Sequence, residues 1–361
     1  MTDQRDEHRL VRSARALAET LERDAAKVER EGISRARLDV VAKQGLIAPS
    51  APLEFGGLAT PPDVARRITE LLAGACGTTW FVVTQHRSAL DAVLTTENVD
   101  LHDRWRRKVC SGQALGAVAF AHLRRPGPPQ VVAEPHGDGW RITGHLDWVT
   151  GWGVTDALAL MAQTTDGRVV ETLIPARQRA GLSASGPLPL MVMGGTRTVA
   201  VQLNSMLVTE DEVVRVSPLE QWHRDDTNRT VNTSPAVFGL LDRVSRALID
   251  LGETKSLSRA VDAGHEFALR ADQLRTLAYH LVDEVAADDA HEERLRVRAM
   301  SLLLAHEATA AMVATTGGSA IALDNPAQRW AREALFFLVQ AQTGSVRDEM
   351  LGRWPLGVSG S

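Results

Sequence analysis

The sequence predicts an α+β fold that is mostly α, with an N-terminal helical lobe (1–110), a small central β domain (111–216) and a C-terminal four-helix bundle (217–361). Three observations predict it. Apolar residues recur at spacings of three and four near the amino terminus. Short Val-rich or alternating runs, separated by Gly and Pro clusters, occur only in the middle third. Long periodic segments return after about Ser217 and are long enough to pack against one another as a bundle.

Each element follows from local pattern. In 8–30, Leu10, Ala14, Leu17, Leu21 and Ala25 form one apolar stripe among charges, so a surface helix is expected. A second helix over 34–44 stops at Gly45, a usual cap residue, before a Pro- and Gly-containing stretch. Helices are expected over 64–75 after Pro61 and Pro62, over 78–94 with His86 and Arg87 interrupting the apolar run, and over 101–109. Strands are expected over 116–120, 130–133, 139–143, 157–163, 168–174 and 196–207, with Pro126-Gly127-Pro128-Pro129 and His136-Gly137-Asp138-Gly139 as turns. Bundle helices are expected over 235–251, 255–287, 292–314 and 326–351, and the tail 356–361 is expected to fray.

Composition narrows the function. The 361 residues are 44% hydrophobic and 24% charged with a formal charge of −5, close to the globular average, and no uninterrupted apolar run approaches a membrane span. No basic or acidic block marks a nucleic-acid or membrane surface, so neither partner is expected. Cys76 and Cys110 are the only cysteines, and the first nine residues are polar, which points to the reducing cytoplasm. None of the eleven His residues forms a His-x-x-x-His pair, so no metal is expected. A Gly-x-Ser-x-Gly elbow and a phosphate loop are also absent. Strands confined to one block disfavour the alternating dinucleotide-binding folds, and Gly151-Trp152-Gly153 reads as a turn. Any chemistry must come from a bound cofactor, or the chain only binds.

Several strings resemble the acyl-CoA dehydrogenase superfamily of flavoproteins, whose order is helical lobe, small β domain, four-helix bundle; the resemblance covers nearly the whole chain. Pro52-Leu53-Glu54-Phe55-Gly56-Gly57 is similar to that family's Pro-x-x-Tyr-Gly-Gly. The stronger string, Gly144-His145-Leu146-Asp147-Trp148-Val149-Thr150, is similar to Gly-x-Lys-x-Trp-Ile-Thr, with Leu146 where Lys is usual. The resemblance implies that Trp148 packs on the flavin ring system and that the Thr150 hydroxyl lies near flavin N5. A planar aromatic cofactor suits an aromatic wall. Read from this segment alone, a Trp inside a sheet core with Thr on the solvent face is the favoured reading, and the surrounding resemblance reverses that preference.

Phe120, Ala121 and His122 stand where the family's first flavin-binding strand ends, although its Thr-Glu pair and Ser-Asp end are missing; the resemblance makes their backbone amides contacts to the pyrimidine edge, and a plain strand connection is the alternative. Gly317 and Gly318 resemble the family's Gly-Gly stretch, which implies that they approach the cofactor diphosphate, and the alternative is a plain break between helices. The cofactor implied is FAD, with FMN as the alternative. The substrate implied is an acyl thioester, dehydrogenated across its α and β carbons, and the assembly implied is a homodimer or homotetramer, a heteromer being the other possibility.

The family's catalytic Glu is missing. The corresponding stretch, Leu338-Val339-Gln340-Ala341-Gln342-Thr343-Gly344, has no carboxylate. Asp348 and Glu349 follow about 10 Å further along a continuous helix at 1.5 Å per residue. Asp225 and Asp226 lie upstream of the bundle; Asp226 is the candidate base, and solvated loop carboxylates are the plainer reading. A branch of the same superfamily hydroxylates with reduced flavin and oxygen using a His, and Cys76 to His86 is similar to its helix, which makes His86 the catalytic candidate for a flavin-dependent monooxygenase. A buried imidazole that merely satisfies core partners is the alternative. A catalytically silent binding subunit is the third reading.

Overall fold

The computed structural model describes residues 8–354, so the polar extreme amino terminus and the tail expected to fray lie outside the described residues. The chain divides into two compact units, one formed by Met1–Ile68 with Cys76–His223, the other by Thr69–Ala75 with Arg224–Ser361.

In the first unit the expected first helix is two, α1 (Arg9–Arg23) and α2 (Ala25–Glu31), separated at Asp24. The stripe Leu10, Ala14, Leu17 and Leu21 is buried as its spacing requires. α3 (Arg35–Lys43) starts on Ser34, whose hydroxyl accepts from the Arg37 amide, and α4 (Pro62–Ala75) starts at Pro62. α5 (Gly77–Thr95) buries residues on most of its circumference, which accounts for its weak amphipathic pattern. The next helix runs as α6 (Val99–Leu101), a π-helical turn (His102–Arg106) and α7 (Arg107–Cys110).

The sheet has eight strands: β1 (Gly116–Ala119), β2 (Val131–His136), β3 (Gly139–Val149), β4 (Ala157–Gln163), β5 (Arg168–Pro175), β6 (Leu182–Ala184), β7 (Val199–Val208) and β8 (Val213–Pro218). Their order is β6-β7-β3-β2-β4-β5-β8, with β1 parallel to β4. β2 and β3 form a hairpin closed by Gly137-Asp138, where Gly137 has φ 61°. The strand core is continuous and aliphatic, with Val131, Ile142, Leu146, Val149, Leu158, Leu160, Val201 and Leu203 all buried. β6 and β8 were not expected, and β3 is longer than its predicted 139–143.

That extra length contains the feature that matters most. Along β3 the pairing to β7 shifts between Leu146, opposite Val201, and Val149, opposite Val199. Three steps on β3 face two on β7, so Asp147-Trp148 holds a β-bulge. Strict alternation would send Trp148 to the same face as Leu146, into the core. The bulge sends Val149 there instead, fully buried, and leaves Trp148 50% exposed.

The second unit contains the end of α4 and the bundle: α9 (Pro235–Thr254), α10 (Ser258–Asp283), α11 (His291–Thr316), α12 (Pro326–Val339) and α13 (Gly344–Arg353). α9 packs on α10 and α11, and α11 on α12 and α13. Gly239 of α9 lies so close to α4 that a Cβ there would run into the Glu70 carbonyl. The buried Glu70 carboxylate accepts from the Tyr279 hydroxyl at 2.5 Å and lies 3.3 Å from Arg275 Nε, whose Nη2 meets Asp242 at 2.5 Å. α11 is apolar enough over an 18-residue window to span a membrane by composition, yet it buries Arg294 and Arg298 inside the bundle.

Two expectations are corrected here. The segment 217–230 holds a helix, α8 (Leu219–Thr230), which crosses from one unit into the other along the chain. The predicted helix 326–351 is broken between α12 and α13, where Ala341 has φ 51°. Buried Arg298 stabilises the break by donating to the carbonyls of Gln340 at 2.9 Å and Ala341 at 3.2 Å, and to that of Thr230. Thr343 then caps α13 through the Val346 amide.

Candidate functional site

The bulged end of β3 and the end of β1 are neighbours. After β1 the chain turns through a 3-10 segment, Ala121–Arg124, that packs against β3. Arg125 forms an ion pair with Asp147 of the bulge, and Asp147 is 3.2 Å from His145 Nε2. The Arg125–Asp147 pair thus ties the segment that follows Phe120, Ala121 and His122 to the strand that carries Trp148. Phe120 is half-buried, edge-on to Trp222 at 5.9 Å, and Trp222 donates to Met161 Sδ at 3.2 Å. Ala121 is exposed.

His122 is 9% exposed. Burial pushes its pKa down to about 4, against a hydrogen bond to the Met161 backbone that raises it. The ring is neutral at pH 7, and with its proton given to Met161 the other nitrogen, Nε2, is an acceptor. Nε2 is buried and has no hydrogen-bond partner. A buried polar atom left unmatched is costly and calls for an explanation, and a ligand N–H is one.

Thr150 is 4% exposed, just beyond β3, where the chain turns at Gly151 with φ 83°. Its Oγ1 is 2.9 Å from Thr198 Oγ1, which is 2.8 Å from Thr196 Oγ1, and Thr196 donates to the Met193 carbonyl at 2.6 Å. Thr198 and Thr196 are also buried. Neither was singled out from sequence, because residues 45 or more positions apart meet only through the β3–β7 pairing.

His86 lies elsewhere in the same unit and is 2% exposed. Its Nδ1 accepts the Gly116 amide at 3.0 Å, so its proton is on Nε2, which donates to the Val109 carbonyl at 3.1 Å. Burial holds its pKa at about 4. Both nitrogens are used in tying α5 to α7 and β1, so the expectation of a catalytic His86 is corrected. The imidazole is a neutral brace with no nitrogen left for a substrate.

The remaining candidates lie in the second unit. Asp226 is buried on α8, with Oδ1 3.5 Å from Arg229 Nη2, so it is not the solvated loop carboxylate that the plainer reading expected, whereas Asp225 is exposed. Asp348 and Glu349 are on α13 and pair with Arg347 and Arg353. Gly317 ends α11 with φ 82°, which explains a glycine there by conformation alone. A Cβ on Gly317 or Gly318 meets nothing within 4 Å, so this chain by itself builds no tight cradle around them. Among the described residues no group of three His, Cys, Asp or Glu side chains could hold a metal.

Comparison with solved structures defines the class. The chain superposes on butyryl-CoA dehydrogenase from Megasphaera elsdenii with TM-score 0.82 at 13% identity, covering 98% of each chain. It superposes on glutaryl-CoA dehydrogenase from Mycobacterium smegmatis with TM-score 0.79 at 17% identity, covering 100% of this chain and 96% of that one. Dibenzothiophene monooxygenase TdsC from Paenibacillus sp. A11-2 gives 0.77 at 19% identity over 97% of each chain, and a structure of TdsC with FMN and indole gives 0.76 at 20%. No family model and no curated protein matches by sequence. The chain has the acyl-CoA dehydrogenase fold, α+β with a mixed sheet between helical segments. Dehydrogenases and a monooxygenase share that fold, and at these identities the likeness establishes the fold alone.

Proposed function

We propose that this protein is a flavin-dependent oxidoreductase that binds the flavin ring system against Trp148, with Thr150 beside the central ring and His122 at the pyrimidine edge. The observation that carries the reading is the bulge, which turns a large indole half out of the aliphatic layer, on a strand tied through Arg125–Asp147 to the segment that follows His122, a buried imidazole with an unmatched acceptor. The donor set fits: a flavin's pyrimidine edge offers an N–H to His122 Nε2, and its flat face offers area to Trp148. When bound, the flavin supplies hydride or oxygen chemistry. The protein's part is to orient the ring through Trp148, to hold its edge through a neutral His122, and to keep water from the Thr150 hydroxyl by burial. FAD is the flavin proposed and FMN the alternative; Gly317 and Gly318 belong to the proposal as contacts to the diphosphate within a homo-oligomer.

For the reaction, dehydrogenation of an acyl thioester assigns proton removal to Asp226, a buried carboxylate with a cation at 3.5 Å. A second reading, monooxygenation with reduced flavin, is supported by the break at residues 340–343, which carries no carboxylate and whose carbonyls are taken up by Arg298. Purified protein is examined by absorbance, then titrated with FAD and FMN, and its chromophore is released and identified. A bound flavin bleached anaerobically by acyl-CoAs, with bleaching lost in Asp226→Asn, supports dehydrogenation. Oxygen uptake that requires supplied reduced flavin supports the second reading. Colourless protein that takes up neither flavin, oxidised or dithionite-reduced, refutes both.

A further inference from the structure

The three threonines behind the candidate flavin face form a relay whose direction is fixed by counting protons. Thr196 has one hydroxyl proton, and the Met193 carbonyl, 2.6 Å away, can only accept it. At the 2.8 Å contact between Thr196 and Thr198, Thr196 has no proton left, so Thr198 donates. At the 2.9 Å contact between Thr198 and Thr150, Thr198 is likewise spent, so Thr150 donates inward. Thr150 thus keeps a lone pair and no free proton. All three side chains are at least 96% buried, so bulk water does not reset the order.

We infer that this relay makes Thr150 an acceptor towards its ligand and so sets the site to take flavin in its reduced form. The inference rests on the reading that Thr150 meets the central ring. Flavin N5 is an acceptor when oxidised and carries a hydrogen when reduced. An acceptor-only Thr150 therefore matches reduced flavin and opposes the oxidised form. Accommodating oxidised flavin requires all three hydroxyls to turn round, and the Met193 carbonyl then loses the Thr196 hydroxyl and keeps only the Thr196 amide at 3.1 Å. One buried hydrogen bond is forfeited for the oxidised ligand alone, which corresponds to about a tenfold preference for the reduced one. The ligand assigned is thus a flavin held about tenfold more tightly when its N5 carries hydrogen.

Dissociation constants for oxidised FMN and FAD in air, and for the dithionite-reduced forms without oxygen, are measured for the wild type, Thr198→Val, Thr196→Val and Thr198→Ser. The wild type is expected to bind the reduced form about tenfold or more tightly. Thr198→Val removes the inward acceptor, and Thr196→Val lets Thr198 donate to Thr150; either frees the Thr150 proton and lowers the preference about tenfold, equal to about 30 mV for a two-electron couple. Thr198→Ser keeps it. Thr196→Val carries the test if Thr198→Val does not fold. Flavin binding with an unchanged ratio in the Val variants overturns the relay and leaves the flavin reading intact. Failure of the wild type to bind either form overturns the flavin reading itself.

Discussion

The sheet end around His122 and the seam around His86 contain the same ingredient, a buried neutral imidazole with a pKa of about 4, and put it to opposite uses. At the seam both ring nitrogens are matched by backbone groups from α7 and β1. At the sheet end one nitrogen is matched and the other is not. A buried polar group whose valences are all used belongs to the scaffold, whereas one with a valence left over is a candidate ligand contact. This difference in bookkeeping, more than residue type, separates the two histidines.

The largest effect that would break the contrast is on stability. His86→Ala leaves the Gly116 amide and the Val109 carbonyl unmatched in the interior and is expected to cost about 3 kcal/mol. His122→Ala leaves only the Met161 backbone group unmatched and should cost less; urea denaturation of both variants gives the comparison, and equal losses would erase it.

Acid comes next. Both histidines have folded-state values below the ordinary 6.5, so the unfolded chain takes up protons that the folded chain refuses. Their contribution is intact above about pH 6.5 and is lost as the pH falls towards 4, at about 1.4 kcal/mol per pH unit for each. Between pH 6.5 and 5, replacing either His86 or His122 by Gln should halve that slope in denaturation curves.

Trp148→Ala should leave stability within about 0.5 kcal/mol, because the ring is half exposed, while weakening flavin binding about tenfold. Unfolding and flavin titration on the same sample read both; unchanged affinity would remove Trp148 from the site. The smallest effect sharpens the role of His122. A flavin methylated at N3 lacks the N–H, so the wild type should bind it about fivefold more weakly than the parent flavin, and His122→Ala should not distinguish the two.

Much of this was legible in the chain. The stripe Leu10, Ala14, Leu17, Leu21 and the runs from Ala157 and Arg168 declared their elements through periodicity and composition. Trp148 and Thr150 came from a resemblance, and pattern alone favoured a core Trp, because a bulge has no signature in alternating residues. The break before α13 was hidden for a related reason: neither Gly nor Pro occurs between Ala327 and Thr343, and the turn depends on Arg298, some forty residues upstream. The threonine relay was out of reach, since it exists only once β3 and β7 are paired.

One surplus residue near Asp147 is a very small edit for a strand to absorb. Upstream of it Ile142 and Leu146 keep their β7 partners, and downstream Val149 finds Val199. An aromatic platform is therefore raised at one point of the strand while the aliphatic layer underneath stays filled by Leu146 and Val149.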